Sequence, residues 1–225
     1  AASDVYKRQE LQIRNNRLVL LMVAGIPLTM ILAASWLWYF VVKGDLDLVG
    51  AIGTANNGQL VQPPRQLDDY EMRNDSGVMV KYSDLHRKWT KLVANPGPGC
   101  DARCENTLYV TRQIHISIGK EFNRIGRMYL SEQPLAETQL AVGELSDQHP
   151  APASMSELLD TEHRGIKALT LVEGSYGGLF PEQQDDASTW YLVDPAGWVM
   201  MSYNSEVHYK DVISDLKFLL KNSSE

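Results

Sequence analysis

Cys100 and Cys104 are the two cysteines among 225 residues, and they stand in the segment PGPGCDARCENTL at positions 96–108. The run Asn95–Gly99 breaks whatever precedes it, and the residues after Cys100 read as a helix. The pair therefore sits where a strand has ended and a helix begins. A helix N-terminus offers unpaired N–H groups and a partial positive charge, which favour a thiolate over a thiol. Four-residue spacing at a helix start also brings two sulfurs together, close enough for a disulfide or for one soft metal ion. A structural disulfide in an oxidising compartment is the alternative. So short a loop stabilises by only about 2 kcal/mol in the loop-entropy model, and a domain of about 180 residues does not need it. Catalytic and metal-holding roles both fall to Cys100 and Cys104. Cys100, nearer the loop, is expected to be the more exposed and the attacking thiolate. A closed zinc site wants four ligands at familiar spacings, which are missing here.

From Leu18 to Val42 runs an uncharged stretch, LVLLMVAGIPLTMILAASWLWYFVV. As a helix it covers about 37 Å, more than a hydrocarbon core of about 30 Å. Trp36, Trp38, Tyr39 and Phe40 gather at its end like an aromatic belt, and Pro27 is tolerated in a membrane span. Arg14 and Arg17 precede the stretch, while Lys43, Asp45 and Asp47 follow it. The positive-inside rule then expects 1–17 in the cytoplasm and the rest in a bacterial periplasm, with 18–42 an uncleaved anchor. The first nine residues, AASDVYKRQ, resemble translated adapter sequence and carry no part of the fold argument.

Residues 43–70 are rich in Gly, Asn, Gln and Pro and read as a linker with an extended lead-in. Beyond them, 71–225 read as one α/β domain. A hairpin is expected around Asn74–Gly77. Trp89–Ala94 is a buried strand, 102–120 a helix, and Arg124–Leu130 a second strand. Helices are expected at 134–146 and 154–169. Trp190–Val193 and Trp198–Tyr203 form a hairpin turning at Asp194–Gly197. Val207–Lys221 closes the domain as an amphipathic helix. Strand, helix, strand, helices, hairpin, helix is the order of a thioredoxin-like domain. The formal charge of −7 argues against nucleic acid as a partner, since that needs a basic face. A monomer is the default expectation. Trp89, Trp190 and Trp198 fall in strands and are expected in the core or on a sheet face.

Over residues 60–221 the chain resembles the Sco/SenC family of cytochrome c oxidase assembly proteins. Two stretches carry the likeness. One is a strand, a glycine-rich loop and Cys-Asp-Ala-Arg-Cys followed by Thr107-Leu108. The other is Tyr191-Leu192-Val193-Asp194-Pro195-Ala196-Gly197, similar to the family's YLxDPxG hairpin. The resemblance implies an anchored thioredoxin-fold protein that binds copper through the cysteine pair and a distant histidine. Its partner would be an oxidase subunit or another assembly factor. Two positions depart from the pattern. Glu105 stands where a proline usually follows the second cysteine, and Asp186 stands where the family has its copper-binding histidine. A carboxylate is a hard ligand and a poor substitute toward Cu(I). His115 lies roughly 16 Å along the helix from Cys104, His149 and His163 fall in the helical insertion, and His86 precedes the first core strand. His208 begins the last helix, and no histidine is assigned as a third ligand. Three functions stay open: oxidase assembly by copper delivery or thiol reduction, general thiol–disulfide exchange, and a scaffold without chemistry.

Overall fold

The computed structural model describes residues 2–43, 56–85 and 87–223. The expected linker as far as residue 55, and His86, lie outside the described residues. Two units, Ala1–Ala55 and Asn56–Glu225, are compact in themselves. The first contains one long helix, α1 (Ala2–Lys43), with Pro27 inside it. Its stretch Val19–Phe40 is long and apolar enough to cross a membrane. Leu20, Leu21, Met30, Ile31 and Trp38 along it are exposed.

The second unit is built on an eight-stranded mixed sheet. Its strands are β1 (Gln59–Gln66), β2 (Met72–Arg73), β3 (Met79–Val80), β4 (Trp89–Asn95), then β6 (Ile125–Ser131), β8 (Lys167–Leu171), β9 (Trp190–Val193) and β10 (Trp198–Tyr203). Two short strands, β5 (Gly99–Cys100) and β7 (Gln139–Leu140), pair apart from it. The order across the large sheet is β1-β10-β9-β4-β6-β8-β2-β3. β4, β6 and β8 run parallel, and β9 lies antiparallel to β4. The helices are α2 (Ala102–Ser117), α3 (Met155–Thr161), α4 (Tyr176–Leu179) and α5 (Tyr209–Asn222).

Side chains alternate across the central strands, as the two-residue period of a strand demands. Val93, Tyr129, Trp190 and Leu192 join Leu108 and Ile114 of α2 and Leu216 and Leu220 of α5 in one core. Leu92, Met128, Leu130, Tyr191 and Val193 join Tyr82, Leu169 and Phe180 in the other. Strands covered on both faces read as continuous apolar runs, which is why β4, β6 and β9 stand out in the sequence. Three expectations hold closely. The β2–β3 hairpin turns at Asn74–Gly77, where Asn74 Oδ1 accepts from the N–H groups of Ser76 and Val78. The β9–β10 hairpin turns at Gly197, whose φ of +92 and proximity to the Gln66 and Tyr82 side chains exclude a Cβ. The closing helix carries its apolar face inward.

Two expected helices need correction. At 134–146 the chain makes a single 3-10 turn, Leu135–Glu137, and then β7, which pairs with β5. Pro134 and Gly143 discourage a continuous helix, and the pairing with β5 is a tertiary opportunity that no local pattern announces. At 154–169 the helix stops at Thr161, Gly165 turns with φ +80, and Lys167–Leu171 becomes strand β8 beside β6. Helix α2 likewise stops at Ser117 rather than Lys120, with Gly119 at φ +69. The stretch expected as an extended lead-in forms β1 and pairs with β10 at the sheet edge.

Candidate functional site

β4 delivers the chain to Asn95, and the side-chain amide of Asn95 donates to the Gly99 carbonyl (3.2 Å) and to Tyr129 Oη (2.8 Å). That clamps the Pro96–Pro98 loop against the sheet. β5 then pairs with β7, and the Cys100 carbonyl accepts from Ala141 N–H at 2.9 Å. Asp101 caps α2: its carboxylate accepts from the N–H groups of Arg103 (3.1 Å) and Cys104 (3.0 Å), as an N-cap should. The bond from Cys104 N–H, with help from the Arg103 guanidinium, holds the Asp101 carboxyl below the usual carboxylate range.

Cys100 and Cys104 are joined as a disulfide with Cα atoms 5.2 Å apart. The expected adjacency of the two sulfurs is thus present. The expected order of exposure is reversed. Cys100 is 0% exposed and sits among the core residues, held by its strand, whereas Cys104, in the first helical turn, is half-buried. An incoming thiolate would meet Cys104 first, so Cys100 is not placed as the attacker. Exposure of a residue beside a loop depends on what the loop packs under, and here β7 and the 141–150 segment cover Cys100.

The cover is tied down by a residue that sequence reasoning counted only as a departure. Glu105 is buried, and its carboxylate accepts from the Ser146 N–H at 3.1 Å. An acidic residue in a first turn reads as a complement to the helix dipole. Its reach to a residue 41 positions on has no signal in the sequence.

The remaining expected residues do not converge on the sulfurs. Asp186 is held by its neighbours, accepting from Ser188 N–H (2.8 Å), Ser205 N–H (3.3 Å) and the Ser205 hydroxyl (3.2 Å). Burial raises its carboxyl, but these bonds outweigh it and keep the group below its ordinary value. His115 is buried on α2, His163 is buried against Arg127, His149 is exposed beside Asp147, and His208 caps α5. Among the described residues, no group of three or more His, Cys, Asp or Glu side chains gathers that could hold a metal ion. The three-ligand copper site implied by the Sco/SenC resemblance does not fit these residues. What the arrangement can do chemically is exchange a disulfide. Trp190 is in the core, stacked on Tyr203 at 4.6 Å, and Trp89 is half-buried. Trp198 lies exposed on β10.

Comparison with known proteins follows the same lines. Two overlapping segments, residues 89–172 and 145–223, match the family model "Transmembrane-like, thioredoxin-like, C-terminal domain", and together they span more than half of the chain. No curated protein matches. Among solved structures, yeast Sco1 with copper bound is similar at a TM-score of 0.50 and 14% identity, covering 76% of this chain and 97% of that one. Yeast Sco1 is similar at 0.51 and 14%, covering 73% and 99%. Apo Sco1 from Thermus thermophilus gives 0.48 and 16%, covering 74% and 99%. The yeast structures share the thioredoxin-like fold of residues 56–223.

Proposed function

This chain belongs to the transmembrane-like, thioredoxin-like C-terminal domain family, and on that footing we propose that it is a membrane-anchored thiol–disulfide factor serving cytochrome c oxidase assembly. The observation that carries the reading is the Cys100–Cys104 disulfide at the strand–helix junction, with Cys100 buried and Cys104 half-buried. The Sco-like fold and the Cys-Asp-Ala-Arg-Cys and Tyr-Leu-Val-Asp-Pro-Ala-Gly stretches support the client. It would be the copper-bearing oxidase subunit or an assembly factor acting on it. Helix α1 would anchor the chain in a bacterial inner membrane, with its basic N-terminal flank in the cytoplasm and the thioredoxin-like domain in the periplasm.

The step begins from the reduced pair. The Cys104 thiolate attacks one sulfur of a client disulfide, forming a mixed disulfide and expelling a client thiolate. The Cys100 thiolate then attacks the Cys104 sulfur, expels the second client thiolate and closes the Cys100–Cys104 bond. Two electrons pass to the client, whose cysteines leave reduced and able to take up metal. A dithiol donor must reopen the Cys100–Cys104 bond for another turn. Copper delivery through a resident site is the weaker version, because among the described residues no third ligand joins the two sulfurs.

A second reading, a structural disulfide in an anchored binding domain, draws on the complete burial of Cys100. One experiment separates the two. The full chain with Cys100→Ser, reduced and then mixed with a glutathione disulfide, should accumulate a stable mixed disulfide at Cys104, while Cys104→Ser should form little at Cys100. Equal inertness of both variants, together with a wild-type bond that resists dithiothreitol in the folded state, would leave only the structural reading.

A further inference from the structure

Lys91 and Arg127 occupy paired positions on the parallel strands β4 and β6. Both fall on the sheet face whose neighbouring positions, Val93 and Tyr129, are core. Two buried basic groups side by side are costly to charge, and burial, then the Arg127 charge, holds Lys91 well below its ordinary lysine value. Lys91 is 1% exposed and its Nζ has no hydrogen-bond partner. His115 of α2 is 7% exposed, stacks on Phe122 at 4.0 Å, and its Nδ1 is also unpartnered. Arg127 spends one terminal nitrogen on His163 Nδ1 (3.3 Å) and donates the other to the Arg164 carbonyl (3.0 Å); neither partner carries a negative charge. Burial, then the charges of Lys91, Arg127 and Lys88, push the His115 imidazole down to about 3.

Beside this cluster opens a cavity of about 200 Å³. Its ionisable lining is Lys88, His115, Arg127, Arg164 and Lys167, with Tyr82 and no carboxylate. That concentration of one sign occurs in a chain whose formal charge is −7. The cavity lies at the N-terminal ends of β4, β6 and β8, whereas the disulfide follows the C-terminal end of β4, so the two sites are at opposite ends of the parallel strands.

We infer that this cavity is a binding site for a small phosphate-type oxyanion. Arg127 contributes its charge and the N–H bonds not already given to His163 and Arg164, and Lys88, Arg164 and Lys167 add positive charge to the lining. The cavity is large enough to admit a phosphate group together with some of its bound water. Free phosphate and the headgroup of an anionic lipid present the same chemistry, and both belong in the test.

The full chain in detergent micelles would be titrated calorimetrically, at constant ionic strength, with inorganic phosphate and separately with dihexanoyl phosphatidic acid. Saturable one-to-one binding of either is expected, and the better ligand identifies the source. Lys88→Glu with Arg164→Glu should weaken that binding at least tenfold while circular dichroism stays unchanged. If that double variant unfolds, Lys167→Glu, at an exposed position, replaces it and should weaken binding at least threefold. Absence of saturable binding by both ligands, or binding unaltered in the folded variant, overturns the site.

Discussion

The two ends of the parallel strands β4, β6 and β8 treat polar groups in opposite ways. At the C-terminal end, around the disulfide, the polar groups find partners. Asp101 takes up the first N–H groups of α2, Asn95 closes the loop, and Glu105 fastens the covering segment through Ser146. At the N-terminal end, Lys91 Nζ and His115 Nδ1 are buried without partners, and the charges around them share one sign. A satisfied network holds one geometry, as a reactive pair needs; an unsatisfied one stores an unfavourable energy that an anionic ligand can relieve. The contrast assigns rigidity to the cysteine end and responsiveness to the basic end.

The largest effect that could break this contrast is acid sensitivity. His115 and His163 each lie near 3 in the folded protein against 6.5 unfolded, driven first by burial and then by neighbouring cations. The unfolded chain therefore takes up these protons first. Their contribution to stability is full above about pH 6.5 and is lost as pH falls toward 3. The loss is on the order of 4 kcal/mol for each group. Urea unfolding of wild type and His115→Phe at pH 7, 5 and 4 checks this: the variant should gain on wild type as pH falls. A gap that stays constant with pH would mean that the imidazole is not desolvated.

At the other end, Glu105→Ala should cost about 2 kcal/mol, because it leaves the Ser146 N–H without its acceptor. It should also make Cys100 more accessible, seen as faster reduction of the disulfide by dithiothreitol in the native state. Loss of stability without faster reduction would show that the 141–150 segment shields nothing. The smallest effect sharpens the chemistry. Asp101→Asn keeps a capping oxygen but removes a negative charge next to the Cys104 N–H. In the reduced Cys100→Ser background, the thiolate fraction of Cys104 at neutral pH should rise, followed by thiolate ultraviolet absorbance. A fall would mean that Asp101 does not act on the sulfur electrostatically.

Much of this was legible in the residues because local physics dictates it. An uncharged run of membrane length can hardly be anything but an apolar helix. Central strands buried on both faces announce themselves as continuous apolar runs, and Asp194–Gly197 can scarcely do anything except turn. Breakers before Cys100 and a helical pattern after it place the sulfurs at a helix start, and their spacing brings them together. What the tertiary structure decided were matters of partnership over distance. Lys167–Leu171 is a strand because β6 has a free edge beside it. Gln139–Leu140 is a strand because β5 needs one. Cys100 is buried and Cys104 half-buried through packing with the core and with β7, and Glu105 reaches Ser146 from 41 residues away. Burial, and the charges that gather around Lys91, arise from neighbours remote in the chain, and no local pattern of residue types encodes which neighbours those will be.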